Sequence, residues 1–400
     1  MHLHGPLHPG GPRSLLRILS GVRGLLVLVT ATIFLDAMLF GTLTPLVPGY
    51  AETFELSKVS AGLLVAAFGI GSLLGGVPGA LVSTRLGPKQ AVVAGMVGLC
   101  VSSIGFALAG TAWALGVARF VQGIASTTTW TGALAWITLE TPAERRGRRL
   151  GTAFAFAVLG AILGPMLGAV ARLVGIRWGF AAVGAVTLGL ALAAAAHSRA
   201  RPQEQATSTL RHALADPPFV TGLWLNALPA FFFGTLNLLA PLALAEHGFG
   251  AFAIAGVFLV AGLVETGANP VLGRISDSHG RLLPIRLALV GAVVVGCLLA
   301  ATRQPWPLAA LVVVAAISFG GFYTPGMALV ADRAEATGVA QGLAFGAMNS
   351  AWALGQALGP SIGGALADGF GDAAPYLLCS ALCAATLVAL RAQARTVQAT

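Results

Sequence analysis

Gly160–Ala169 reads GAILGPMLGA and Gly355–Gly364 reads GQALGPSIGG, 195 positions further on, each inside an apolar run long enough to cross a bilayer. A Gly-Pro pair among small residues spaced three or four apart breaks a helix in water. In lipid the freed backbone groups are satisfied by neighbours, and the glycines let helices approach closely. Two copies point to a membrane protein built from two related halves.

Composition leads to the same place. Apolar residues make up 56% of the 400, charged residues only 9%, and the mean hydropathy is +0.85. That leaves too little polar surface to coat a globule in water. A span needs roughly 20 apolar residues, and twelve segments account for nearly the whole length: 25–47, 60–82, 90–110, 112–136, 150–171, 178–197, 218–245, 251–272, 284–302, 306–331, 340–366 and 373–390. The expected class is all-α and integral to the membrane. Its organisation is a tail (1–24), a six-helix bundle (25–197), a linker (198–217), a second six-helix bundle (218–390) and a tail (391–400).

With a cytoplasmic N-terminus, Lys58, Arg172, Arg177 and Arg303 fall in outer loops and Arg119 inside a span, leaving 18 of the 23 lysines and arginines on the cytoplasmic side. The positive-inside rule therefore places both termini in the cytoplasm of a multi-pass protein of the cell (inner) membrane. The net charge of +9 is explained by cytoplasmic residues such as Arg145, Arg146, Arg148 and Arg149, so no nucleic-acid partner is inferred. Cys100, Cys297, Cys379 and Cys383 lie within predicted spans without a ligand spacing to histidine and read as buried free thiols. The opening MHLHGPLHPGGPR holds histidines among prolines and glycines and reads as a cytoplasmic tail rather than a metal site. No metal or cofactor is expected, and the lipid bilayer is the expected surrounding of a monomer.

Repetition extends beyond the cassette. Phe40-Gly41-Thr42-Leu43 with Pro48 recurs as Phe233-Gly234-Thr235-Leu236 with Pro241, an offset of 193. Leu86-Gly87 corresponds to His279-Gly280 at the same offset, and Glu144 with Gly147 to Glu335 with Gly338 at 191. The polar stretch His197–Pro218 joins the halves as a linker. Two such halves about an axis along the membrane normal, with a site between them near the midplane, is the arrangement of the major facilitator transporters.

Ionisable groups inside a membrane are costly, so each is a functional candidate. Asp36 lies eleven residues into the first segment, roughly 16 Å deep and close to the expected site. A carboxylate in a low-dielectric cavity has its neutral form favoured unless a cation stands beside it. A proton and a cationic substrate then compete for one acid, and an inward proton gradient drives efflux. Arg119, about a third of the way into segment 4 from the outer side, either tethers segment 1 or acts on Asp36 electrostatically. Glu265, eight residues before Gly273 and roughly 12 Å from that end of its helix, is either a second proton or substrate acid or a neutral, hydrogen-bonded side chain. Trp130, Trp224, Phe231, Phe232, Tyr323 and Trp352 are aromatics at middle depth, suited to flat apolar solutes and to ammonium groups. With Asn349 added and Phe231 left out, they make the expected substrate cavity.

Three motifs carry the resemblance to the major facilitator superfamily: Leu115-x-x-x-Arg119-x-x-Gln122-Gly123, Gly160-x-x-x-Gly164-Pro165-x-x-Gly168, and Gly273-x-x-x-Asp277-x-x-Gly280-Arg281. The loop after segment 2 is similar but has Ala80, Thr84, Arg85, Gly87 and Lys89 where the family usually has Gly, Asp, Arg, Gly and a basic residue. The resemblance implies a cytoplasmic latch weakened by Thr84 in the first half and supplied by Asp277 in the second. The Gly-Pro motif resembles that of the superfamily's antiporters, with Gly359-Pro360 as its copy, although small-residue spacings such as Gly71, Gly75 and Gly79 also occur in any packed span. Leu35-Asp36-Ala37-Met38-Leu39 with Pro45-Leu46-Val47-Pro48 resembles the vesicular amine transporters among the drug:proton antiporters. The likeness continues through Glu144-Arg145-Arg146-Gly147, Pro325-Gly326-Met327 with Asp332, and Gly359-Pro360-Ser361. Where that branch carries acids in helices 10 and 11, this chain has Gly320 and Asn349. The function implied is proton-coupled export of small lipophilic, cationic organic compounds by alternating access. The alternatives are a uniporter or symporter for a small metabolite and, more distantly, a membrane-embedded enzyme or receptor.

Overall fold

The computed structural model describes residues 22–197, 210–280, 282–339 and 341–399. Twelve long helices run through them: α1 (Val22–Gly41), α2 (Lys58–Arg85), α3 (Pro88–Leu108), α4 (Ala112–Leu139), α5 (Ala143–Val174), α6 (Ile176–Ala196), α7 (Pro217–Glu246), α8 (Ala251–His279), α9 (Leu282–Ala301), α10 (Pro305–Ala336), α11 (Gln341–Phe370) and α12 (Ala373–Ala399). No strand occurs among the described residues. All twelve predicted segments appear. Several helices overrun them, α5 beginning at Ala143 and α8 ending at His279, because hydropathy marks the thickness of the lipid and not the length of the helix.

Among the described residues, ten helices are long and apolar enough to span a membrane by composition. The two that fall short, α4 and α11, carry more polar residues: Gln122, Ser126, Thr127, Thr128 and Thr129 of α4 and Gln356 of α11 are buried, while Asn349 and Asp368 of α11 are exposed. One predicted span is broken. After Gly41 the chain makes a 3-10 turn (Thr44–Leu46) and restarts as a short helix, Val47–Thr53, where Pro45 and Pro48 supply no N–H donor.

The neighbours of each helix repeat between the halves: α1 packs on α5 and α4, α2 on α4, and α3 on α4 and α6, while α7 packs on α11 and α10, α8 on α10, and α9 on α10 and α12. The quoted cassettes explain the first of these pairs. A Cβ at Gly160 or Gly164 would collide with the backbone of Phe34 and Met38 on α1, and one at Gly168 with that of Thr42 just beyond it; one at Gly355 or Gly359 would collide with that of Ala227 and Phe231 on α7, and one at Gly363 would crowd Thr235. The partner positions are 193 apart, so the repeat seen in sequence is a repeated helix–helix contact. Gly71, Gly75 and Gly79 seat α2 on α4 in the same way.

The end of α6 at His197, the residues from Leu210 that lead into α7, and the turns near Gly87, Thr141, Gly280 and Gly338 share one face, called here the linker face. The turns at 54–57, 109–111, 247–250, 302–304 and 371–372 form the far face. Gly87 and Gly280 are equivalent in structure too, with φ of 106° and 79°, a region that glycine enters without steric cost. The Gly147–Gly338 correspondence is not kept: Gly147 sits within α5, whereas Gly338, at φ 68°, follows the end of α10. Cys100, Cys379 and Cys383 are buried free thiols as expected, but Cys297, on the outward side of α9, is exposed.

Candidate functional site

The halves meet along α2 with α11 and along α5 with α8. On the far face the first of these contacts is tight, since a Cβ at Gly62 would strike the Pro360 carbonyl and one at Gly69 would lie 2.5 Å from the Ala357 nitrogen. Seven residues further on, the nearest atom to a Cβ at Gly76 is Ser350 Oγ at 4.0 Å, and Gly342 and Gly346 of α11 have nothing within 4 Å. The bundle is therefore closed at the far face and parts toward the linker face.

Polar contacts reinforce the closure. Lys58 Nζ lies 2.6 Å from Asp372 Oδ1, and the backbone N–H groups of Lys58 and Val59 donate to Asp368 at 3.1 and 2.9 Å. The first turn of α2 is thus capped by a carboxylate from the other half. The donation from Val59 N–H, with help from Ser57 and Lys58, holds the Asp368 carboxyl below the usual carboxylate range.

Asp36 is 2% exposed. Its Oδ2 accepts hydrogen bonds of 2.7 Å from Ser126 Oγ and from Trp130 Nε1, both on α4, and its Oδ1 has no partner among the described residues. The half-buried Trp130 packs on Phe154, with 5.7 Å between ring centroids. Arg119 does tether α1: it donates to Phe40 O at 2.9 Å and Leu39 O at 3.5 Å, and to Gln122 Oε1 at 2.9 Å. Its guanidinium lies 4.8 Å from the Phe68 ring centroid and 5.7 Å from that of Phe40.

Between the halves a small cleft is lined by Phe40, Thr44, Phe68 and Arg119 from one side and by Asn237 and Gln356 from the other. Trp352 of α11 packs against Phe40 and Phe68 at 5.3 and 6.3 Å, so it stands where the two halves meet, beside the cleft. Asp36 does not line this cleft but lies one helical turn along α1 from Phe40, which does. Phe40, Phe68, Asn237 and Gln356 escaped the sequence reading: two are neutral amides and two are phenyl rings, with no charge to mark them in an apolar run.

Glu265 of α8 is half-buried over Gly320 of α10, where a Cβ would stand 2.6 Å from its Oε1. Tyr323 is half-buried one turn along α10, and Asn349 is exposed on the stretch of α11 that has left α2. Two expected cavity residues are corrected. Trp224, 41% exposed, donates its indole N–H to Thr386 of α12 at 2.8 Å on the outer side of the second half, and Phe232 is fully buried against Phe319 at 3.8 Å in that half's interior, so neither lines the cleft.

On the linker face, Thr84 bonds to its own backbone at Ala80, Arg85 is exposed, and Lys89 donates to the carbonyls of Ala195 and His197 at the end of α6. The side chain of Asp277, and Arg281 entirely, lie outside the described residues, as does the N-terminal tail. Asp216 caps α7 through Phe219 N–H and takes a bidentate bond from Arg333 at 2.8 Å. Among the described residues no cluster of His, Cys, Asp or Glu is arranged to hold a metal.

Comparison with known proteins gives a consistent picture. The family model for the Major Facilitator Superfamily matches residues 29–345 and 268–398. MFS-type transporter ppzB of Metarhizium majus is 30% identical over 161 residues, 39% of this chain, and its counterpart from Metarhizium rileyi is 28% identical over 174 residues, 42% of this chain. These matches span only about a third of the curated relatives' length, 34% and 36%. Among solved structures, a bacterial homolog of the human lysosomal transporter Spinster, inward-facing and unoccupied, aligns with a TM-score of 0.72 at 17% identity, covering 92% of this chain and 94% of that one. A mutant of the nucleoside transporter NupG aligns at 0.71 with 14% identity, covering 92% and 99%. At such identities the likeness concerns the fold.

Proposed function

Starting from the fact that the chain belongs to the major facilitator superfamily, we propose that it is a proton-coupled antiporter exporting small lipophilic, cationic organic compounds by alternating access. The two halves are taken as residues 25–197 and 218–390, rocking about the cleft. Positive residues concentrated on the linker face support reading it as cytoplasmic, and a state closed on the far face is then inward-facing.

The observation that carries the reading is the Asp36 carboxylate. It is buried inside a predicted span, held by two neutral donors, with one oxygen free and no cation within 4 Å among the described residues. Such an acid does not stay both charged and unaccompanied at little cost; it takes either a proton or a cation. Because it is closed off from the cleft in this state, exchange requires a state in which the Trp130–Asp36 hydrogen bond opens. Glu265 is the candidate for a second coupling acid.

The test is transport in proteoliposomes under an imposed pH gradient. A lipophilic aromatic cation should accumulate against its gradient with the native protein and fail to do so with Asp36→Asn. Accumulation that ignores the pH gradient would make the chain a uniporter, and gradient-driven accumulation unchanged in Asp36→Asn would remove Asp36 from the scheme.

A further inference from the structure

We propose that the cleft at Arg119 binds a small monovalent anionic group, a halide ion or the carboxylate of an organic solute, held by donors from both halves. Arg119 is 3% exposed and carries five N–H donors. Those with a partner reach two backbone carbonyls and the Gln122 amide oxygen, while Nε has none. No carboxylate lies within 4 Å of the guanidinium among the described residues. The nearest acid along α1, Asp36, gives its bonded oxygen to Ser126 and Trp130 instead. The Phe40 and Phe68 rings beside the guanidinium offset part of the cost of its burial, but they do not neutralise it.

From the opposite half, Gln356 is 5% exposed and Asn237 half-buried, and both line the same cleft. Neither side-chain amide has a hydrogen-bond partner among the described residues. Unused N–H donors from α4, α7 and α11 thus converge where one full positive charge is already fixed. Against the guanidinium itself a cation is repelled, which leaves the cationic substrate of the proposed export to Asp36, and a neutral solute leaves the Arg119 charge offset only by the more distant Asp36. An anion meets both demands.

Size restricts the occupant. The cleft has a volume of about 10 Å³, and a water needs roughly 10–15 Å³ in the same measure. As it stands it has room for about one water-sized group, so a chloride ion or the head of a carboxylate requires the cleft to widen toward the open linker face, into which the remainder of a solute would extend. Because the donors come from both halves, occupancy also favours the closed far face. None of this depends on the assignment of Asp36.

The experiment is thermal unfolding of the full-length protein in detergent, titrated with sodium chloride or sodium acetate at ionic strength held constant with sodium sulfate. A saturable upward shift of the melting temperature is expected. Gln356→Leu and Asn237→Leu, which keep side-chain volume but lose the amides, should reduce that shift several-fold, and Asp36→Asn should retain it. A shift with chloride alone assigns a free ion, and one with acetate assigns a carboxylate of the solute. No shift with either salt, or a shift that survives both leucine substitutions, overturns the proposal.

Discussion

Lys58 and Asp372 join the two halves across the far face, Nζ to Oδ1 at 2.6 Å, beside a second acid, Asp368, that caps the backbone of the same helix turn. The two carboxylates are not equivalent. The Lys58–Asp372 pair has side chains 29% and 42% exposed, and such surface pairs contribute about 0–1 kcal/mol. A cap supplied to a helix N-terminus contributes about 0.5–2 kcal/mol. Asp368→Ala is therefore expected to open the far face more than Asp372→Ala, by a severalfold change in the ratio of states. Spin labels at Glu52 and Glu246, on opposite halves and both exposed, would report this as a longer distance population; equal effects from the two variants would discard the cap as the stronger element.

The same cap sets a pH dependence. Asp368 lies beyond the predicted span, and its carboxyl is held below its ordinary value by the Val59 N–H in the closed state. The contribution to closure is therefore fully present above the ordinary aspartate value, about 3.9, and is lost as pH falls through the lowered one. The spin-label distance should not respond to this group near neutrality and should lengthen only in acid, a response that Asp368→Asn removes.

The glycine cassettes predict a graded set of melting temperatures. Gly160→Ala and Gly359→Ala each place a methyl on a carbonyl of the partner helix, and overpacking of this kind costs about 1–3 kcal/mol. Gly189→Ala, with nothing within 4 Å of the added atom, should be neutral or slightly stabilising, as alanine is the better helix former. Detergent melting curves check the order.

Much of this fold was legible because lipid imposes a single constraint, repeated twelve times, and because backbone-to-backbone packing leaves a mark that only glycine can make. Depth along a helix was equally readable: Asp36 and Arg119 were found by counting into an apolar run. Facing direction was not. On a helix apolar all round, nothing distinguishes the side toward lipid, the packed interior or the cleft, so Trp224 and Phe232 were assigned to a cavity from which the structure withdraws them. Asn237 and Gln356 meet Arg119 only because α7 and α11 bring them across from the second half, a tertiary fact absent from local sequence.

That distinction between packing and cleft aromatics makes a further prediction. Trp352→Ala removes contacts with Phe40 and Phe68 from the other half, each such aromatic pair contributing about 0.5–1.5 kcal/mol. Affinity for aromatic solutes should fall roughly tenfold, whereas Trp224→Phe, which loses only a bond to Thr386 within one half, should leave uptake unchanged. Concentration-dependent transport of one aromatic cation compares them directly.

Gly320 offers a way to move Glu265 without changing it. A methyl there would stand 2.6 Å from Oε1 and 2.9 Å from Cγ, so the whole Glu265 side chain must swing to another rotamer; the atoms met are side-chain and not backbone atoms, so the helices need not part. Gly320→Ala is thus expected to melt close to the native protein. If Glu265 is a coupling acid, this variant should nonetheless reproduce the transport defect of Glu265→Gln, because both remove a carboxylate from the face of α10. A defect in Glu265→Gln alone would show that the acid acts wherever it points; native transport by both variants would reduce Glu265 to a packing residue and leave Asp36 as the sole candidate for coupling within the described spans.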